Sequence, residues 1–109
     1  MQETFQIKRG DTSPFLRYAL APTTVSLTGA SVRFKMQLAG RQGAVVDAPG
    51  VVVSQQPPIV GYLWAAGDTD QAGRYQAEFQ VTYGDGHIET FPNQGFIAVS
   101  VNADVPGLT

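Results

Sequence analysis

Cysteine is absent from the 109 residues, and histidine occurs once, as His87. Without cysteine there is no disulfide, no zinc-thiolate or iron–sulfur site and no thiol nucleophile. Synthesis in a reducing cytoplasm is therefore expected. Charge is scarce as well: charged residues make up 15% of the chain, and the formal net charge is −2. Of the seven basic residues only Lys8 and Arg9 are adjacent. They form no basic stripe able to displace counterions from phosphates, so a nucleic-acid partner is not expected. No run of about 18 apolar residues is available to span a bilayer. The opening MQETFQIKRG lacks the apolar stretch of a secretory signal, and no membrane partner is expected.

What the chain does have is apolar residues, 43% of the total, enough to fill a core. They follow no helical period and alternate with polar ones instead. In YQAEFQVTY, Tyr75, Ala77, Phe79, Val81 and Tyr83 face one way, and Gln76, Glu78, Gln80 and Thr82 the other. VRFKMQL sets Val32, Phe34, Met36 and Leu38 against Arg33, Lys35 and Gln37, and FLRYAL alternates in the same manner. Each is a strand with one face on a core and one in water. Weaker strands are predicted at 4–8, 51–55, 59–65, 87–91 and 96–102. Turn signals separate them, among them RGDTSP, LTGA, AGRQG, GDTDQAG and PNQG. The GDG at 84–86 reads as a hairpin between 74–83 and 87–91. Seven to eight short strands in about 100 residues predict an all-β fold, a single antiparallel sandwich over 1–102, with 103–109 as a short tail.

Asp70, Gly73 and Tyr75 sit where immunoglobulin-type sandwiches carry a tyrosine corner, and Ala77 stands where those domains place a cysteine. The Tyr75 hydroxyl is expected to close on a backbone group near Asp70, and Asp70 to cap the turn completed by Ala72 and Gly73. Phe34, Trp64 and Phe79 are the expected core, with Ala77 leaving room for Trp64 and Phe34. Packing replaces the disulfide.

No catalytic residue is assigned. A serine triad would need His87 as its base, yet His87 follows a turn and no serine has the context of a nucleophile elbow. The chain is thus expected not to be an enzyme. Asp68, Asp70 and Asp104 offer calcium-type oxygen ligands, but DTD is too short for a calcium loop, so neither metal nor cofactor is expected. The RGD at 9–11 reads as a turn. Phe91, Phe96 and Tyr62 read as core filling, with an exposed apolar patch as the alternative. Segment 39–50 is the best loop candidate for contacts; no individual partner-binding residue is assigned.

Taken in order, KRGDTSPFLRYAL, VSLTGASVRFKMQL and GYLWAAGDTDQAGRYQAEFQVTYGDGHIETFPNQGFIAVSV resemble the immunoglobulin-like N-terminal domain of baseplate upper proteins of tailed phages. The resemblance runs over 5–102. It rests on the Gly-Asp-Thr turn at 10–12, the Leu-Thr-Gly-Ala turn at 27–30, and Val32 with Phe34. Trp64, the stretch from Asp70 to Tyr75, the 84–86 hairpin, and Phe91 with Pro92 complete the series. It implies a non-enzymatic structural adaptor of the tail or baseplate, located in the virion. The adaptor would act by contact with other virion proteins, in multiple copies within a symmetric assembly. Because the chain stops just after this region, no receptor-binding arm is expected. The alternatives are a head-surface decoration or head–tail neck protein, or a carbohydrate-binding or adhesive module. The last would require Trp64 or Tyr62 to be solvent-exposed.

Overall fold

The computed structural model describes residues 4–103; the expected tail at 103–109 falls almost wholly outside them, as does Asp104. Among the described residues the alternating segments form nine strands and no helix. They are β1 (Thr4–Lys8), β2 (Leu16–Ala19), β3 (Ser31–Leu38), β4 (Val46–Pro49), β5 (Val51–Ser54), β6 (Ile59–Tyr62), β7 (Gly73–Thr82), β8 (Ile88–Phe91) and β9 (Ile97–Asn102). A long sheet runs β1-β9-β7-β3-β4, with β8 paired to the far half of β7, and a short sheet runs β2-β6-β5. The two form the disulfide-free all-β sandwich that the alternation predicts.

Three details depart from the expectation. The strand count is nine, because the second half of segment 39–50 is β4, antiparallel to β3 with Met36 opposite Val46. Strand β6 ends at Tyr62, short of 59–65, so Trp64 enters the core from outside the ladder. Pairing is not wholly antiparallel: β1 lies parallel to β9, Phe5 opposite Val99 and Ile7 opposite Val101. Alternation shows which face of a strand is buried and says nothing of the direction of its neighbour.

Between the sheets the aromatic side chains interlock. Phe34 stacks on Tyr62 with ring centroids 4.4 Å apart, and Trp64 stands edge-on to both, at 5.7 and 5.3 Å. Phe79 packs on Phe34 at 5.1 Å, and Phe5 lies over Trp64 at 5.9 Å. Phe34 and Phe79 are fully buried, and Trp64 nearly so. Ala77 is buried as well, on the same face of β7 as Phe79.

Gly50 is where the chain leaves one sheet and joins the other. Its N–H donates to the Val32 carbonyl at 2.8 Å. A Cβ there would come within 3.0 Å of both the Gly61 oxygen and a Val32 methyl. A side chain would press on both sheets at the crossing, and the glycine avoids that crowding.

Candidate functional site: the outward face of the short sheet

Tyr75, at the start of β7, donates its hydroxyl to the Gln71 carbonyl at 2.6 Å. The turn before it is tied by a different aspartate from the one expected. Asp68 accepts the Tyr62 hydroxyl at 2.6 Å and the Ala65 N–H at 2.8 Å. Asp70, the expected cap, contributes its backbone N–H to Gly67. The difference is one of direction: Asp68 points back at the buried end of β6, whereas Asp70 is exposed. Burial, and then the Asp68 carboxylate, push the Tyr62 phenol well above its ordinary pKa.

The other sequence candidates serve as connections. In RGD, the Arg9 N–H donates to Asn102 and the Gly10 N–H to Thr69. The Asp11 carbonyl accepts the buried Thr69 hydroxyl at 2.8 Å. Two Gly-Asp-Thr turns, at 10–12 and 67–69, are thereby pinned to each other. His87 closes the β7–β8 hairpin through Asp85, which accepts both its backbone N–H and its ring nitrogen. Those bonds hold the Asp85 carboxyl below its ordinary pKa. Both side chains are largely in water. Among the described residues no three His, Cys, Asp or Glu side chains are grouped to hold a metal ion. Phe91 and Tyr62 are buried, and Phe96 is partly exposed between two shallow grooves on the long sheet.

The two outward faces of the sandwich differ in chemistry. On the long sheet, β3 presents Arg33, Lys35 and Gln37 opposite Gln80, Glu78 and Gln76 of β7, which also presents Thr82 opposite Ser31 and Arg74 opposite Ser100. Gln6 and Ser100 continue this polar layer on β1 and β9. Gln37 donates to Gln76, Asn102 donates to Gln6, and Arg33 pairs with Asp47. This is a solvated face of the ordinary kind.

On the short sheet the corresponding positions are mostly apolar, with Arg17 and Ser54 the polar ones. Register places Arg17, Gly61 and Val51 in one row, with Ala19 and Ile59 in the next. By alternation Phe15 and Leu63 belong to the same face. Leu63 is 66% exposed and Val51 44%. Gly61 points outward and yet is buried, because the Phe15 ring covers it. A Cβ at Gly61 would run into that ring and into the Leu16 carbonyl oxygen. The Arg17 guanidinium stands over the Phe15 ring, 5.7 Å from its centroid. Sequence alternation contained this face, since Phe15, Ile59, Leu63 and Val51 are apolar at outward positions. It stayed hidden because Leu16, Val60, Tyr62 and Val52 on the other face are apolar too, leaving no contrast to show which side is wet.

No family model matches the chain, and no curated protein matches it. Among solved structures it is similar to CopC from Methylosinus trichosporium OB3b, with a TM-score of 0.53 and 16% identity. The match covers 94% of this chain and 86% of that one. At this identity the likeness is one of fold. The structure it resembles is that of a CopC and not of a virion protein, and the virion assignment is corrected on that finding. The tail or baseplate adaptor, the head-surface and neck alternatives and the virion location all fall with it. The carbohydrate module fails on a different ground: Trp64 and Tyr62 are each 3% exposed and offer no platform for a sugar ring.

Proposed function

We propose that this chain is a non-catalytic binding domain that docks a protein partner on the outward face of its short sheet. One observation carries the proposal: Phe15, Ile59, Val51 and Leu63 give one sheet a mostly apolar outer layer, while the other sheet's outer layer is mainly charged and amide-rich, with Ile88 on β8 its exposed apolar exception. An antiparallel sheet usually turns polar side chains to water, and a contiguous apolar face marks a contact surface. A second feature supports it. The missing side chain at Gly61 leaves room for the Phe15 ring to cover the middle of the sheet, adding apolar surface to this face.

Copper handling, toward which the CopC likeness points, does not fit the donors among the described residues. Copper sites draw on imidazole, thiolate and thioether ligands. Here cysteine is absent, His87 stands in an exposed turn with Asp85 alone, and Met36 is buried in the core. No chemical step is therefore assigned to a metal.

Photo-crosslinking tests the docking face. A benzophenone amino acid placed at Leu63 should give adducts with one protein in producing cells, identified by mass spectrometry, and none when placed at Gln80 on the long sheet. Adducts at Gln80 with none at Leu63 would overturn the proposal.

A further inference from the structure

We infer that the partner segment seated on this face carries a carboxylate, flanked by apolar side chains, which pairs with Arg17. This rests on the docking face proposed above and specifies its chemistry. Arg17 is the one charged residue among the outward positions of the short sheet, and it lies in the central row, opposite Gly61. Its guanidinium stacks on Phe15 and forms no ion pair among the described residues. Across Gly61, about two strand spacings away, stands Val51. Any partner that covers this patch takes the guanidinium out of water. A guanidinium buried without a counter-charge is strongly unfavourable, so the surface selects a partner that supplies one. The planar fork, pre-oriented by the ring beneath it, suits the two oxygens of an Asp or Glu side chain.

A second copy of the chain is a poor occupant. The outward set of Phe15, Arg17, Ala19, Val51, Ile59, Gly61 and Leu63 contains no acid, so packing this face on itself would bring two cations together unpaired. Addition of a long strand at the β2 edge is also disfavoured. Pro14 and Pro22 flank the four residues of β2 and lack the N–H groups a longer ladder would need. The occupant lies across the face.

A random 12-residue peptide library panned against the intact protein tests this. Selected peptides should carry Asp or Glu between apolar residues. Their affinity should fall by about thirtyfold or more with Arg17→Glu, and panning the Arg17→Glu protein should select Lys or Arg at that position. Leu63→Asp and Val51→Lys should abolish binding of both sets, with circular dichroism confirming that each variant is folded. Peptides lost with Leu63→Asp but indifferent to Arg17→Glu would overturn the carboxylate and leave the docking face standing. Peptides indifferent to all three variants, or no peptides at all, would overturn the face itself. Sedimentation of the protein with phosphatidylcholine–phosphatidylglycerol vesicles, lost with Leu63→Asp, would replace the protein partner with a lipid surface and overturn the inference.

Discussion

Two buried phenols close the same corner of the molecule from different sides. Tyr75 reaches back to the Gln71 carbonyl, and Tyr62 reaches across to Asp68. Tyr75→Phe keeps the ring and removes a single neutral hydrogen bond, so a stability loss of about 1 kcal/mol is expected in urea unfolding. An unchanged midpoint would mean that the bond contributes nothing. The phenols also predict a pH dependence. Burial, and then the bond to Glu89, push the Tyr83 pKa up to about 12, while burial raises those of Tyr75 and Tyr18. A group whose pKa is raised on folding stabilises the protein fully below its unfolded value, near 10 for tyrosine. That contribution is lost as pH rises through the folded value, because the unfolded chain then ionises first. Stability should therefore be flat across neutral pH and fall above about pH 10. Tyr83→Phe should make that fall shallower in a series of denaturation curves.

Strands β2 and β6 are held by a glycine as much as by their ladder. Gly61 has Arg17 opposite it on one side and Val51 on the other, and its missing side chain is the seat of the Phe15 ring. Gly61→Ala would lift the ring and press on the Leu16 carbonyl, a rigid backbone group. A loss of about 1–3 kcal/mol is expected, of the size seen when well-packed sites are overfilled. The displaced Phe15 should also increase binding of an apolar dye; equal stability of the two proteins would show that the ring moves aside freely. At this scale legibility followed the contrast between faces. Strands β3 and β7 were legible because Phe34, Met36, Phe79 and Val81 alternate with charged and amide residues. Strand β4 was not, since VDAP reads as a turn until β3 lies beside it. The Asp68 tie was missed for a similar reason: its partner Tyr62 is on another element, and only folding brings the two together.

The whole molecule is a sandwich without disulfides whose interior is built on stacked aromatics, with Trp64 at 3% exposure edge-on to Phe34 and Tyr62. Its fluorescence should be blue-shifted and resist acrylamide quenching, and reductant should leave the unfolding midpoint unchanged. A red-shifted, readily quenched Trp64 would place the residue outside the core and reopen the sugar-binding alternative. The fold class followed from composition and alternation alone, because side-chain polarity with period two dictates half-buried strands wherever they lie. The absence of thiols likewise settled that packing must do the work of a disulfide. Which strands neighbour one another, that β1 runs parallel to β9, and that the chain changes sheets at Gly50 depend on contacts between residues far apart in sequence. The apolar outer layer on the short sheet belongs with these. A valine or leucine facing solvent has the same local pattern as one facing the core, and only the position of the second sheet distinguishes them.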